Sequence, residues 1–290
     1  MKVCLKQIYK NAQIIFTEKK IPDPATEAFY LMNAHIPCNR GELLLGVERE
    51  VDPEAIDRFM IDVSKRVQGM PLQYLIGKWE FYGLEFLTLP GVLIPRADTE
   101  TLIDYALPVL KAMERPRILD LCCGSGCIGL TLAKLIPQLD VTLFDISAAA
   151  IDATRRNAAL HRLEDRCHIV QGDVMLAGTN YFPDDTFDMI LSNPPYIKTA
   201  DLSALAKEVQ QEPTLALDGG MDGLTFYRAI AADWTTPLKE GGHLVLEAGY
   251  DTTQPVAELL KEYPFNQINT HKDLGQNDRM ITAVLGGKEK

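Results

Sequence analysis

The fold of this chain is decided by residues 117–126, which read RILDLCCGSG. The first five residues are mostly apolar, as expected for a short buried strand, and the next five form a loop that contains two glycines. From Ile128 to Ile136 the apolar residues recur at helical spacing. A strand that leads through a glycine loop into a helix begins a βαβ unit, in which ligands bind at the carboxyl ends of the strands.

The order of strand, turn and helix repeats along the rest of the chain. Further short apolar runs occur at Asp140–Phe144, Cys167–Val170, Phe187–Leu191 and His243–Leu246, and a helical pattern spans Ala148–His161. This alternation is typical of a parallel sheet covered by helices on both faces. We therefore predict a doubly wound, Rossmann-like α/β catalytic domain over residues 96–290, closed by an antiparallel pair at Phe265–Thr270 and Met280–Leu285.

The first part of the chain has a different pattern. Residues 1–77 are apolar at helical spacing and contain no alternating run long enough to predict a strand, so we expect a small all-α helical bundle. Asp23-Pro24 and Asp52-Pro53 each mark a helix start, because a carboxylate caps free N–H groups and proline fits the first helical position. Residues 78–95 include the alternating aromatic run WEFYGLEFLTL, which predicts a β-hairpin that links the domains.

The composition indicates a soluble protein of the cytoplasm. The chain has 290 residues, 47% of them hydrophobic and 24% charged, and contains neither a signal-peptide pattern nor a membrane-spanning run. Three of its six cysteines crowd into residues 122–127, where they could hardly form orderly disulfides, which favours a reducing compartment. We expect no metal site, because these thiols lack a second cysteine pair or a histidine at ligand spacing.

The net charge of −11 disfavours a nucleic-acid partner, since binding many phosphates requires a basic face. The basic residues that do cluster, Arg155, Arg156, Arg162 and Arg166, have helical spacing, and we expect them to form a solvated helix face. We also expect a monomer.

The glycine loop and the next strand together predict a nucleoside cofactor. Asp145 ends that strand, where a carboxylate suits the two hydroxyls of an adenosine ribose. Residues 124–129 also fit the dinucleotide pattern G-x-G-x-x-G, so a nicotinamide cofactor is the alternative. However, residues 120–126 resemble the D-L-x-x-G-S-G loop of class I methyltransferases, and Asp120 could face the cationic end of a cofactor. A carboxylate facing a pyrophosphate would be unfavourable, and we therefore predict S-adenosylmethionine.

A second motif, Asn193-Pro194-Pro195-Tyr196, follows the strand Phe187–Leu191 and so belongs at the same sheet edge. The two prolines fix φ and remove two backbone donors. The side-chain oxygen of Asn193 and the carbonyl of Pro194 can both accept hydrogen bonds from one NH2 group, and Tyr196 offers a flat face to a planar amide or base. We predict that these four residues bind the substrate and catalyse methyl transfer to its nitrogen by positioning it.

Taken with further segments, these motifs resemble the glutamine-N5 methyltransferases of peptide-chain release factors. The further matches are PLQYLIG at residues 71–77, FYGL at 81–84, LIPR at 93–96 with Asp98-Thr99-Glu100, several positions within 212–224, and Asp278-Arg279. The resemblance implies that the chain methylates the side-chain amide nitrogen of the glutamine in the Gly-Gly-Gln motif of release factors. The sequence departs from the family pattern at Ala97 and at Cys122-Cys123, but neither change removes a group that the chemistry needs.

The same resemblance implies roles for individual residues. The loop residues Cys122, Cys123, Gly124, Ser125 and Gly126 would hold the methionine part of the cofactor, and Asp145 would hold its ribose. Asp173 and Val174 would border the adenine, although some relatives have an aromatic residue at the position of Val174. Asn193 would contact the cofactor and, with Pro194, Pro195 and Tyr196, the glutamine amide. The N-terminal helical domain would grip the protein substrate.

Three other functions compete with this prediction. Adenine-N6 methyltransferases of nucleic acids carry a similar Asn-Pro-Pro-Tyr motif, which receives a flipped base. A nicotinamide-dependent dehydrogenase would use the glycine loop, but this function would not explain residues 193–196. An inactive binding protein on the same fold would not need the loop, the acid and the amide-binding motif together.

Overall fold

The computed structural model describes residues 2–184 and 186–287. These residues form two compact units, one within residues 2–78 with 206–211 and one within residues 79–205 with 212–287. In the described ranges no helix is both long enough and apolar enough to cross a membrane.

The first unit is mainly helical, as predicted. Its helices are α1 (Leu5–Glu18), α2 (Pro24–His35), α3 (Arg40–Leu45), α4 (Pro53–Val67) and α5 (Leu72–Ile76). Both predicted helix starts are present. Asp23 accepts a hydrogen bond from the backbone N–H of Thr26, and Asp52 accepts one from Glu54, each directly before the proline that begins its helix.

The prediction that this segment contains no strand is wrong at one place. β1 (Lys2–Cys4) and β2 (Glu48–Glu50) pair antiparallel. Each strand has three residues, which is too short to produce a recognisable alternation of apolar and polar residues in the sequence.

Residue Arg66 of α4 lies almost fully buried in this first unit and holds three of its segments together. Its guanidinium donates to both carboxylate oxygens of Glu27 on α2, at 2.5 and 2.8 Å, and to the carboxylate of Glu208 at 2.5 Å. Glu208 belongs to residues 206–211, which cluster with this unit although they are distant in sequence.

The predicted hairpin is present as β3 (Lys78–Phe81) and β4 (Leu84–Leu87). Phe81 and Phe86 contact edge to face, with their ring centroids 6.1 Å apart, and both belong to the hydrophobic core of the second unit. The hairpin, predicted as a linker, therefore belongs to the second unit, where both of these rings are buried.

The second unit contains the predicted doubly wound α/β fold. Its strands are β5 (Arg117–Leu121), β6 (Asp140–Asp145), β7 (Cys167–Gln171), β8 (Phe187–Ser192), β9 (Leu238–Glu247), β10 (Phe265–Lys272) and β11 (Asp278–Leu285). They form a sheet in the order β10-β11-β9-β8-β5-β6-β7, in which the five strands from β7 to β9 are parallel and β11 runs antiparallel to both of its neighbours, β9 and β10. Its α-helices are α6 (Glu100–Lys111), α7 (Cys127–Leu135), α8 (Ala148–His161), α9 (Thr225–Asp233) and α10 (Thr253–Leu260).

Successive residues of the central strands enter two different hydrophobic cores. Ile118 and Met189 belong to the core that includes α6 and α7 side chains, whereas Leu119 and Ile190 belong to the core that includes Tyr227 and Trp234. Because adjacent side chains of a strand point to opposite faces, both faces of the sheet are buried. This explains why the strands read as continuous apolar runs.

The arginine cluster is not uniformly solvated. Arg166 donates hydrogen bonds to the backbone carbonyls of Ala133, Ile136 and Pro137, where α7 ends. A cation at this position interacts favourably with the carbonyls in and just after the last turn of α7 and stabilises the negative end of the helix. The expectation of a solvated face is therefore wrong for Arg166.

Candidate active site

The two motifs meet because β5 and β8 are adjacent parallel strands. Their last residues, Leu121 and Ser192, are paired in register, and the Ser192 hydroxyl donates to the Leu121 carbonyl at 2.8 Å. The glycine loop that follows β5 and the Asn193 turn that follows β8 consequently lie side by side at the carboxyl edge of the sheet.

A cavity opens at this edge with about 1160 Å³ of empty space, a volume that includes open solvent at its mouth. Sites for small ligands typically measure about 300–1,000 Å³. Of the residues singled out in the sequence, Cys122, Cys123, Gly124, Ser125, Asp145, Asp173, Val174, Asn193 and Pro195 line this cavity. Gly126, Pro194 and Tyr196 are not among the lining residues.

The glycine loop curls tightly before α7. Cys122, Gly124 and Gly126 all have positive φ angles, of 57°, 56° and 78°. A Cβ on Gly126 would lie 3.0 Å from side-chain atoms of Leu130 and Thr154, so this position also lacks room for a side chain. At Gly124 a Cβ would meet nothing within 4 Å, because the backbone there borders the cavity.

Asp145 joins this loop to the end of β6. One carboxylate oxygen accepts from the backbone N–H of Gly124 at 2.9 Å, and the other accepts from the N–H of Ser147 at 2.8 Å. Burial raises the pKa of this carboxyl, and the backbone hydrogen bonds oppose that rise. The side chain is thereby held in a fixed orientation at the cavity wall.

The far wall of the cavity rests on an aromatic cluster. Trp234 is 1% exposed, and its indole N–H donates to the backbone carbonyl of Val174 at 2.8 Å. The ring of Trp234 stacks on Tyr181 and meets Phe144 edge to face. Val174 itself is 5% exposed and presents an apolar surface, as a flat purine ring requires.

The Asn193 turn is supported from behind by residues 217–219. The backbone N–H of Ile197 donates to Leu217, and the N–H of Gly219 donates back to Ile197 at 2.8 Å. A Cβ on Gly219 would lie 2.7 Å from the Cα of Tyr196, so the two backbones touch. This close approach fixes the position of the turn.

A buried hydrogen-bonded chain lies beside the same turn. The side-chain NH2 of Asn193 donates to the Thr99 hydroxyl at 3.1 Å, and that hydroxyl donates to the Glu247 carboxylate at 2.6 Å. The Tyr196 hydroxyl donates to the other Glu247 oxygen at 3.4 Å. Tyr196 therefore turns its hydroxyl toward Glu247 at the end of β9.

Asp120 does not face the cavity, contrary to the expectation that it meets the cofactor. It is fully buried, and one carboxylate oxygen accepts from the backbone N–H of Gly129 in the first turn of α7 at 2.9 Å. No donor within the described ranges reaches its other oxygen. Burial raises the pKa of Asp120 to about 7. Its carboxylate therefore accepts from a free backbone N–H at the start of α7 and does not contact the cofactor.

The cysteines of the glycine loop are protonated thiols rather than reactive thiolates. Burial raises the pKa values of Cys122 and Cys123, and that of Cys127 to about 12. Thiolate, not thiol, is the reactive form, so these side chains stay neutral near pH 7. The arrangement suits a direct transfer without a covalent enzyme intermediate.

Comparison with known proteins matches both units. Residues 7–77 match the PrmC N-terminal domain family, and residues 83–220 match the methyltransferase small domain family. A release factor glutamine methyltransferase of Geobacter sulfurreducens is 37% identical over 270 residues, which cover 93% of this chain and 92% of that protein. The chain belongs to the release factor glutamine methyltransferase family.

Two other members of the family are similar to this chain over most of its length. The release factor glutamine methyltransferase of Moorella thermoacetica is 40% identical over 82% of this chain and 83% of its own length. That of Deinococcus radiodurans is 34% identical over 98% of this chain and 99% of its own length. The match thus includes the helical unit as well as the catalytic one.

Several lining residues of this family member were not identified from the sequence. Thr99 and Arg96 precede α6, and Leu215 and Phe226 follow the Asn193 turn by many positions. Arg96 donates to Glu212, which is buried and also accepts from the backbone N–H of Ile94. From the sequence, the segments 93–100 and 212–224 are family matches without an assigned role, and the contacts of Arg96 and Ile94 with Glu212 explain why both segments belong to the site.

Proposed function

We propose that this protein transfers the methyl group of S-adenosylmethionine to the side-chain amide nitrogen, N5, of the glutamine in the Gly-Gly-Gln motif of peptide-chain release factors. The observation that carries the proposal is that Asn193 and four residues of the glycine loop, Cys122 to Ser125, line the same cavity. The family membership supports the same acceptor, because the relatives are release factor glutamine methyltransferases.

The cavity fits S-adenosylmethionine in three respects. Its backbone is open at Gly124, where a bulky ligand group can approach closely. It presents the carboxylate of Asp145, which suits ribose hydroxyls, and the apolar surface of Val174 near Asp173, which suits an adenine. When bound, S-adenosylmethionine supplies an electrophilic methyl group attached to a positively charged sulfur.

The amide acceptor requires help from the protein, because its lone pair is delocalised into the carbonyl. The side-chain oxygen of Asn193 and the carbonyl of Pro194 would accept both hydrogens of the substrate NH2 group and favour a more nucleophilic nitrogen. The nitrogen would form a bond to the methyl carbon as the carbon–sulfur bond breaks, the sulfonium would leave as a neutral thioether, and the methylated amide would then lose a proton to water. Catalysis therefore consists of orientation and hydrogen bonding.

The charge of the chain supports a protein acceptor over a nucleic acid. The net charge of −11 opposes association with a polyphosphate backbone, and Arg166 is engaged with helix carbonyls. We assign the reaction to the cytoplasm and propose that the helical unit, residues 2–78 with 206–211, contributes to binding the release factor.

The proposal is tested by incubating the protein with isotopically labelled S-adenosylmethionine and a purified release factor. Mass spectrometry should locate a single labelled methyl on the glutamine of Gly-Gly-Gln, and a release factor with glutamate at that position should remain unlabelled. Parallel reactions contain DNA or RNA. Label in the nucleic acid and none in the release factor would overturn the proposed acceptor.

A further inference from the structure

Asn193 is held by two buried side chains that the sequence motif does not include. Thr99 is 2% exposed and Glu247 is 1% exposed, and they come from segments 148 positions apart. Their hydrogen bonds form a chain from the Glu247 carboxylate through the Thr99 hydroxyl to the Asn193 amide, with lengths of 2.6 and 3.1 Å.

The hydrogens that each group can donate determine which group is the donor in each of these two hydrogen bonds. An ionised carboxylate can only accept, so the single hydrogen of the Thr99 hydroxyl points to Glu247. The Thr99 oxygen can then only accept, and it must receive its hydrogen bond from the NH2 group of Asn193. The oxygen of the Asn193 amide is consequently on the opposite side, free to accept from a substrate in the cavity.

We propose that Glu247 and Thr99 are positioning residues, which orient the Asn193 amide so that its oxygen, and not its NH2 group, meets the substrate amide. The inference rests on the proposed function and deepens it. Without this orientation, Asn193 would present two donors to the NH2 group of the glutamine, and the two groups would repel each other. The same chain would also be reversed if Glu247 became protonated, since its O–H could then donate to Thr99.

Protonation of Glu247 is governed by its surroundings. Burial raises its pKa to about 7, while the hydrogen bond from Thr99 and the charge of Arg279 oppose this rise. Asp98 adds to the rise, and the hydroxyl of Tyr196 opposes it. The other titratable groups near the carboxylate are the neutral side chains of Tyr227 and Cys127. Since the ionised form is the productive one, kcat should increase as pH increases through about 7.

The first test compares Thr99→Val, which removes the hydroxyl at nearly constant shape, with Thr99→Ser, which keeps it. Thr101→Val is the matched control, because within the described residues the Thr101 hydroxyl donates to the backbone carbonyl of Asp98 and does not take part in the Glu247–Thr99–Asn193 chain. We expect Thr99→Val to lower kcat for release-factor methylation about 10- to 100-fold, with little change in KM or in cofactor affinity measured by calorimetry. Thr99→Ser should keep most of the activity.

The second test uses the pH profile of kcat in Glu247→Gln. Glutamine can accept from Thr99 through its oxygen but has no proton to gain, so the loss of activity below about pH 7 should disappear. Wild-type kcat for Thr99→Val, or an unchanged acid limb in Glu247→Gln, would overturn the inference. If wild-type protein itself fails to methylate the release factor while binding cofactor, the proposed function fails instead.

Discussion

The Asn193 side chain uses its two ends for different purposes. Its NH2 group is fixed by Thr99, and its oxygen is left for the substrate. In the proposed reaction this side chain sets the geometry of the reacting nitrogen. Asparagine is suited to the position because it combines a donor and an acceptor on one rigid plane.

We predict that Asn193→Ala binds S-adenosylmethionine with near wild-type affinity and methylates release factor at least about 100-fold more slowly, because the substrate amide loses its acceptor. Single-turnover methyl transfer and calorimetric cofactor binding measure the two quantities. Asn180→Ala, at an exposed position of the same unit, is the control. Turnover of Asn193→Ala within a few fold of wild type would disprove catalysis by positioning.

Asp120 shows the cost of a buried charge. Burial raises the pKa of this carboxyl from an ordinary value of 3.8 to about 7 in the folded protein. Between these two pH values the folded state keeps a proton that the unfolded state has released. Stability contributed by the neutral acid is therefore present at low pH and lost as pH increases from about 4 to 7. The magnitude is about 4 kcal/mol at about 1.4 kcal/mol per pH unit.

We predict that Asp120→Asn makes the decline of stability with pH less steep, because asparagine keeps an oxygen for the Gly129 N–H and has no proton to lose, while Glu247 still contributes its own share. Urea unfolding of both proteins between pH 5 and 8 gives the two slopes. Asp152→Asn, at an exposed residue paired with Arg156, should retain the wild-type slope. Equal slopes for wild type and Asp120→Asn would show that Asp120 is ionised throughout.

At the scale of elements, the site depends on how closely the loops at the sheet edge approach one another. Gly219 packs directly against the Asn193 turn, and a side chain at this position would overlap the backbone of Tyr196. We predict that Gly219→Ala lowers kcat at least about tenfold while the protein remains folded, since the turn must shift to make room.

The matched control for this change is Gly287→Ala, where a Cβ would meet only the flexible end of the Glu240 side chain. Activity and the melting temperature are measured for both variants. A Gly219→Ala protein with wild-type kcat would show that the turn tolerates displacement, and a large fall in melting temperature would assign Gly219 to folding instead.

The sequence predicted most of these elements because their signals are local. The strand, loop and helix of residues 117–136 and the closing pair β10 and β11 follow from apolar spacing and glycines within short windows. The Glu247–Thr99–Asn193 chain does not follow from the sequence, although Asn193 lies in a clear motif, because its three members lie on distant segments and no local pattern shows that their side chains meet. Asp120 was misinterpreted because its position in the motif does not reveal which way the side chain points.

At the scale of the whole molecule, the chain leaves the catalytic unit at residue 206 and returns to it at residue 212. Residues 206–211 contribute Glu208 to the buried ion pair of Arg66 within the helical unit. Loss of the arginine would leave Glu27 and Glu208 without their shared partner, and breaking a buried pair typically costs about 3–5 kcal/mol.

We predict that Arg66→Met destabilises the helical unit and increases hydrogen exchange together in α2, α4 and residues 206–211, while the central sheet keeps its protection. Arg58→Met is the control on the same helix, because the ion pairs that Arg58 forms among the described residues, with Asp52 and Glu54, are exposed. Such pairs contribute at most about 1 kcal/mol. Unchanged exchange in residues 206–211 would contradict the role assigned to Arg66.

The hydrogen bond from Trp234 to Val174 also has an optical consequence. The chain contains two tryptophans, and the indole of Trp234 is bonded to a backbone carbonyl of the cavity wall and shielded from solvent. Indole emission depends on the polarity and hydrogen bonding around the ring, so a ligand seated against Val174 should alter the brightness or wavelength of Trp234. With Trp79→Phe removing the second signal, the protein would carry its own fluorescent reporter of cofactor binding, and no added dye would be needed.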